Sequence, residues 1–179
     1  MATQQCLILI KPDGLVKSLT GNIISALSET KLKIVGAKIV KVSRELAEKH
    51  YSELKEAQIK KHGKEKGTEI FESVLKYIQG EFHTERVLAL IYQGEDAISK
   101  IRLSAGSTNP EEADFTTIRG KYGRINSKTK VFENVIHCSD SETSAKKEIQ
   151  LWFKPEEVTE IIYPIKKIKV KGEITAWDN

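Results

Sequence analysis

Hydrophobic residues along the chain fall into two patterns, short apolar runs and stretches with the spacing of an amphipathic helix. Four apolar runs typical of strands, the last interrupted by polar residues, lie at 4–10, 34–42, 86–92 and 131–136. Helical spacing is found at 19–32, 46–57, 70–78, 95–103 and 145–153. This alternation of strands and helices predicts an α/β (α+β) sandwich of the ferredoxin-like kind.

Polar residues and residues with special backbone preferences mark the connections. Residues 11–14, Lys-Pro-Asp-Gly, follow the first strand and predict a sharp turn, because proline restricts φ and glycine permits positive φ. Residues 58–68 are rich in Lys, Gly and Glu, which predicts a polar loop or the tip of an extended helical hairpin. Residues 105–123 form a long connection without a predicted element, and such connections are usually functional or disordered.

Length and composition indicate one domain that handles anionic ligands. The chain has 179 residues and a net charge of +4, although much of the basic excess lies in the tail at 166–171, where a solvated surface is the alternative. The sequence has no apolar run of membrane-spanning length and no signal-peptide pattern at its start, so we expect no membrane. Two cysteines do not make a disulfide framework, so we expect a reducing, cytoplasmic location.

The most informative stretch is 134–141, Asn-Val-Ile-His-Cys-Ser-Asp-Ser, which places His137 where a strand ends and a helix begins. Free amides and the positive helix end suit a phosphoryl group at such a position, and Ser139, Asp140 and Ser141 are good N-cap residues. The histidine could be a general base, a metal ligand, a nucleophile or a hydrogen-bonded structural residue. The surrounding spacing does not resemble a zinc site, and Cys138 is expected to point to the opposite face.

Cationic residues elsewhere suggest a phosphate-binding surface. Lys11 follows the first strand, where it could be aimed at a phosphate, although such lysines are usually only solvated. Arg102, Thr108 and Arg119 lie before, within and near the end of the long connection, and they predict a phosphate clamp because a guanidinium matches phosphate oxygens. The alternative is a surface loop with scattered charges. His50 is predicted at a helix surface or edge.

Three stretches of the sequence, 11–14, Thr-Ile-Arg-Gly at 117–120 and the stretch 134–141, resemble the signature blocks of the nucleoside diphosphate kinases. Ser-Thr-Asn-Pro at 107–110 and the segment 148–157 add two blocks in the same order. The resemblance implies a kinase-like domain at 1–157, with a four-stranded antiparallel sheet covered by helices. It also implies that a tail at 158–179 packs on the domain or on a neighbouring subunit of a homo-oligomer, either a hexamer or a tetramer.

The resemblance further implies transfer of the γ-phosphate of a nucleoside triphosphate such as ATP to a nucleoside diphosphate. The reaction would be ping-pong through a phosphohistidine at His137, with Glu148 bonding the second ring nitrogen and Ser139 supporting that carboxylate. Magnesium would enter on the nucleotide phosphates, without direct protein ligands. The implied catalytic residues are His137, Lys11, Glu148, Ser139 and Tyr51. The implied nucleotide-binding residues are Lys11, Phe71, Arg102, Thr108, Arg119 and Asn134, the last at the ribose.

Two insertions depart from the family pattern. One of about eleven residues covers 58–68, and one of about five residues falls within 121–133. The first makes the register of the base-stacking residue uncertain, with Phe71 as the candidate and Ile70 as the alternative. A non-catalytic nucleotide-binding or nucleic-acid-binding relative would be favoured if His137 or the arginine pair were absent, and all three are present. Nucleic acid is an unlikely partner, although the basic tail and the lysines at 60–66 leave a weak alternative open.

Overall fold

The computed structural model describes residues 3–129, 131–169 and 173–177. Its strands are β1 (Thr3–Ile10), β2 (Lys33–Val40), β3 (Val87–Glu95), β4 (Arg124–Ile125), β5 (Phe132–Glu133), β6 (Ile136–Cys138), β7 (Ile165–Lys169) and β8 (Glu173–Trp177). Its helices are α1 (Pro12–Val16), α2 (Thr20–Ser28), α3 (Arg44–His50), α4 (Leu54–His62), α5 (Lys64–Gln79), α6 (Ala97–Ala105), α7 (Ile118–Tyr122) and α8 (Glu142–Trp152), followed by a 3-10 turn at Pro155–Glu157.

The central sheet contains four antiparallel strands in the order β2-β3-β1-β6, which confirms the predicted fold class. Helices cover both of its faces. In β1, Ile8 and Ile10 pack into one core cluster, whereas Leu7 and Leu9 pack into the other. Because successive side chains of a strand point to opposite faces, a strand covered on both sides reads as a continuous apolar run.

Several expectations about local structure are wrong. The segment after β1 is the short helix α1, with Pro12 in its first turn, and not a bare turn. Proline is tolerated there because the first amides of a helix have no partner within it. Gly14 has no positive φ and is needed for close packing, because a Cβ atom would lie 3.1 Å from the Val135 carbonyl oxygen. Also, the connection at 105–123 contains α7, which is N-capped by Thr117.

The apolar run at 131–136 is divided into two strands, β5 and β6. Between them, Val135 adopts a φ of 56°, a left-handed conformation that is a genuine outlier for a β-branched residue. The Asn134–Val135 turn therefore ends one strand and redirects the chain into the sheet. There His137 pairs with Leu9 of β1.

Both insertions have regular structure. Residues 58–68 fall at the tip of the α4–α5 hairpin, the second of the two predicted alternatives. Gly67 permits this hairpin to close, since a Cβ atom there would lie 2.5 Å from the backbone nitrogen of Ile59. The second insertion is largely the two-stranded β4–β5 sheet.

The tail begins against the central sheet, where the Thr159 amide donates to the Val35 carbonyl at 2.8 Å. It continues as the β7–β8 hairpin. Part of the predicted basic tail, at 170–171, lies outside the described residues. Among the described helices, none has the length and apolar character needed to cross a membrane.

Candidate active site

The centre of the site is a hydrogen-bonded set formed by β6 and α8. His137 Nε2 lies 2.9 Å from Oε1 of Glu148, and the Ser139 hydroxyl donates to Oε2 of the same carboxylate at 2.6 Å. Ser139 Oγ in turn accepts from the Leu7 amide at 3.1 Å, and Ser141 caps α8 as predicted. Because a carboxylate only accepts, we infer that Nε2 carries the ring proton. The Nδ1 lone pair is then free, and no hydrogen bond reaches it from the described part of the chain.

His50 belongs to this site, contrary to the prediction of a surface or edge position. Its ring centroid lies 4.5 Å from that of His137, and the two rings are nearly perpendicular, at 80°. The Trp152 indole donates to His50 Nδ1 at 3.2 Å. Burial lowers the pKa of His50 well below its ordinary value, and the neighbouring His137 adds to this. A neutral His50 therefore forms one wall beside the His137 ring.

Lys11 lies at the start of α1, directly after β1. Its Nζ is 3.5 Å from the Phe132 carbonyl oxygen. Burial lowers the pKa of Lys11, the charge on Asp13 opposes this, and the charge on Arg119 lowers it further. The charges of these two cations therefore oppose each other, and a bound anion relieves such repulsion.

Arg119 is buried and held by the backbone on both sides. Its guanidinium donates to the Gly106 carbonyl at 2.7 Å and to the Ile136 carbonyl at 3.1 Å. Its Nε has no hydrogen-bond partner among the described residues. Burial lowers the pKa of Arg119, and the charge on Arg102, which is exposed on α6, lowers it further. The charge of Arg102 thus acts on Arg119.

Asn134 and Thr108 are also joined, although they are far apart in sequence. The Asn134 side-chain amide donates to the Thr108 carbonyl at 2.7 Å. Asn134 is buried, whereas Thr108 is exposed. This bond links the long connection to the turn that precedes His137.

A cavity of about 360 Å³ opens beside His137, and its lining includes His50, Tyr51, His137, Asp140 and Glu148. Burial raises the pKa of Tyr51, and the Glu148 charge raises it further, so its hydroxyl remains protonated and able to donate. In the described residues, the cluster that could hold a metal is His50, His137 and Glu148. This cluster does not suit Mg²⁺, because Mg²⁺ prefers oxygen ligands. In addition, His50 Nδ1 already accepts a hydrogen bond from Trp152.

Comparison with known proteins agrees with this geometry. The sequence profile of the family described as "Nucleoside diphosphate kinase" matches residues 4–158. The chain belongs to the nucleoside diphosphate kinase family. It is 41% identical to the nucleoside diphosphate kinase of Pyrococcus furiosus over 157 residues, which cover 88% of this chain and 87% of the relative. It is 39% identical to that of Sulfurisphaera tokodaii, with coverage of 88% and 94%.

Solved structures of the family have the same fold. An NDP kinase from Pyrobaculum aerophilum superposes with a TM-score of 0.77 at 30% identity, covering 89% of this chain and all of that one. A kinase from Borrelia burgdorferi, described as a transition-state mimic with bound vanadate and ADP, gives 0.75 at 32% identity, with coverage of 89% and 92%. The vanadate and ADP are bound in the Borrelia burgdorferi structure.

The structure corrects the assignment of Phe71 as the residue that stacks on the base. Phe71 is 4% exposed, and it packs in the core that α5 shares with the sheet. A ring enclosed in this way has no free face for a nucleobase. Ile70, the alternative, is half-buried at the preceding position of the helix, and its contact with a base stays a prediction.

Proposed function

We propose that this kinase transfers the γ-phosphoryl group of a nucleoside triphosphate to a nucleoside diphosphate, with His137 as the temporary carrier. The observation that carries the proposal is the orientation of the imidazole. Glu148 accepts from Nε2 and thereby leaves the Nδ1 lone pair available for attack.

In the first half-reaction, Nδ1 forms a bond to the γ-phosphorus while the bond from that phosphorus to the bridging oxygen breaks. The nucleoside diphosphate leaves with the electron pair of that bond. The second half-reaction is the reverse, with a different diphosphate as the attacking group. One site therefore serves donor and acceptor in turn.

The ring gains positive charge as the new bond forms, because Nε2 keeps its proton. The Glu148 carboxylate stabilises this charge, and Ser139 holds the carboxylate in place. Lys11, Arg102 and Arg119 supply positive charge for the phosphate oxygens, with Thr108 beside them. Tyr51 donates from the cavity wall, and Asn134 meets the ribose. His137, Glu148 and Ser139 are joined by hydrogen bonds without a substrate, so little reorganisation of this set is needed during transfer.

Magnesium belongs to the substrate in this proposal and arrives on the nucleotide phosphates, whose hard oxygens it prefers. We also propose a homo-oligomer, a hexamer or a tetramer. Ile34 and Ile39 support it, since both are exposed on β2 at the edge of the sheet. A measurement of the mass of the protein in solution tests whether it forms this homo-oligomer. The buried free thiols of Cys6 and Cys138 are compatible with the proposed cytoplasmic location.

Incubation with ATP labelled at the γ-phosphorus tests the transfer function. We expect a label on the protein that is stable to base and labile to acid, and that passes to added nucleoside diphosphate. His137→Ala should remove the label while the far-UV circular dichroism spectrum is unchanged. His62→Ala is the matched control, because His62 is exposed at the tip of the α4–α5 hairpin and should keep full labelling. A label retained by His137→Ala would exclude His137 as the carrier.

A further inference from the structure

Glu133 is a buried carboxylate next to the site that the transfer chemistry does not use. Its side chain is 0% exposed. Arg124 Nε donates to it at 2.6 Å, Asn126 Nδ2 at 2.8 Å and Lys17 Nζ at 3.2 Å. Burial by itself raises the pKa of Glu133, but the hydrogen bonds outweigh burial and hold this pKa well below its ordinary value.

The groups that contact Glu133 come from separate parts of the fold. Lys17 directly follows α1, which also begins beside Lys11. Arg124 and Asn126 belong to the inserted β4–β5 hairpin. His83 Nε2, from the connection between α5 and β3, lies 3.4 Å from the carboxylate. Glu133 therefore ties β5 to three neighbouring segments at once.

The tied strand leads directly into the strained turn. Val135, two residues after Glu133, has the left-handed φ described above, and such a conformation persists only where the surrounding structure holds it. The Val135 amide donates to Asp13 at 2.9 Å, and its carbonyl accepts from the Lys11 amide at 2.9 Å. The Phe132 carbonyl lies 3.5 Å from Lys11 Nζ. The segment 132–135 thus sets the position of Lys11 and carries Asn134.

We propose that Glu133 is a positioning residue for nucleotide binding, which acts by holding the strained segment 132–135 and, through it, Lys11 and Asn134. The β6 strand holds the other end of the turn by pairing with β1. The inserted hairpin then has a function, since it supplies two of the donors that fix the carboxylate. This proposal rests on the proposed function, in which Lys11 and Asn134 contact the nucleotide.

A positioning role differs from a purely structural one because it weakens nucleotide binding more than it slows the reaction of His137 with a small phosphoryl donor, which Asn134 does not contact. Two measurements on each variant separate them. Calorimetry gives the Kd of ADP without any turnover. Phosphoramidate, a small donor that releases ammonia when it phosphorylates an imidazole nitrogen, reports the reactivity of His137 without a nucleotide.

For Glu133→Gln we expect a rise of about tenfold in the Kd of ADP. Labelling by phosphoramidate should fall by no more than about threefold, because, of the two positioned residues, only Lys11 is proposed to meet the transferred phosphoryl group. Arg124→Gln leaves Lys17 and Asn126 on the carboxylate, so a smaller rise of about threefold is expected. Glu157→Gln is the matched control. It also removes a carboxylate that pairs with a lysine and a backbone amide, but beside β2, at the opposite edge of the sheet from β6.

An unchanged Kd in Glu133→Gln, an equal rise in Glu157→Gln, or a parallel loss of phosphoramidate labelling would each overturn the proposal. If Glu133→Gln does not fold, Arg124→Gln decides, because the Arg124 side chain is 60% exposed and its loss is tolerable. An unchanged Kd of ADP in Arg124→Gln also overturns the proposal. A wild type that is labelled by neither donor would refute the transfer function, and the Kd comparison would still decide the role of Glu133.

Discussion

Replacing Glu148 with glutamine tests how the carboxylate activates His137. The substitution keeps the size of the side chain and removes its charge. Its amide oxygen can still accept from His137 Nε2, because the new amide group can face Ser139, whose hydroxyl oxygen can accept. The tautomer is then retained, and the variant isolates the effect of charge.

The magnitude follows from the geometry. The ring charge is spread over both nitrogens, so its centre lies about 4 Å from the carboxylate, where attraction is worth about 4 kcal/mol at an effective dielectric constant of about 20. The Glu148 side chain is 15% exposed, so solvent screening beyond this is limited. With about half of the charge developed at the transition state, the loss is about 2 kcal/mol, or about 30-fold in rate. A second estimate uses the difference in strength between a charged and a neutral hydrogen bond, about 1–1.5 kcal/mol, and predicts a loss of about tenfold in rate.

Rapid-quench measurement of protein labelling at saturating labelled ATP provides the assay. We expect the rate constant of Glu148→Gln to fall by about 10–30-fold, with the Kd of ADP unchanged. Glu142→Gln, which lies on the same helix and binds Gln4 on the surface, should react at the wild-type rate. A Glu148→Gln rate within about twofold of the wild type would refute electrostatic stabilisation of the ring. A weakened Kd with an unchanged rate would place Glu148 in nucleotide binding instead.

Four further outcomes are expected. Ser139→Ala should lower the free energy of unfolding in urea by about 1–3 kcal/mol, because the buried Leu7 amide and one Glu148 oxygen lose their partner. Gly67→Ala should cost about 1–3 kcal/mol by thermal unfolding, since its Cβ atom would overlap the Ile59 backbone, whereas Gly21→Ala, with open space, should not destabilise. Arg119→Lys should slow phosphoryl transfer by about tenfold or more, because an ammonium cannot replace both backbone bonds of the guanidinium and still meet a phosphate. The pKa of Glu133 is lower in the folded than in the unfolded chain, so its stabilisation is complete above pH ~4.3 and is lost as pH falls toward the folded value; the difference in urea stability between the wild type and Glu133→Gln should shrink below that pH.

Much of the site was accessible from the sequence because its residues lie in contiguous blocks. His137 and Ser139 belong to one block, and Lys11 begins another. The resemblance also gave the pairing of Glu148 with His137. The base-stacking assignment did not survive, because a long insertion shifts the register and Phe71 shares the i, i+4, i+7 spacing of the core residues Leu75 and Ile78. Phe71 and Ile70 are adjacent, yet one is buried in the core and the other is not.

His50 and Glu133 show what sequence patterns miss. His50 lies far from His137 in the chain, and only the packing of α3 against α8 brings its ring to Trp152 and to the reactive imidazole. Glu133 reads as a polar interruption of an apolar run, a pattern that usually indicates exposure. Its burial depends on donors from three separate segments.

The sequence by itself determined three strands of the central sheet (β1, β2 and β3), the helices α2, α5, α6 and α8, the cap of α8 and the chemical groups available for phosphoryl transfer. These features depend on hydrophobic period and on side chains bonding to amides a few residues away, both of which are local. Tertiary structure alone decided the free ring nitrogen, the enclosure of Phe71, the left-handed Val135 turn and the partners of Glu133. Each of these depends on groups from distant segments meeting at hydrogen-bond or van der Waals distance, and those distances are set by how the helices pack on the sheet.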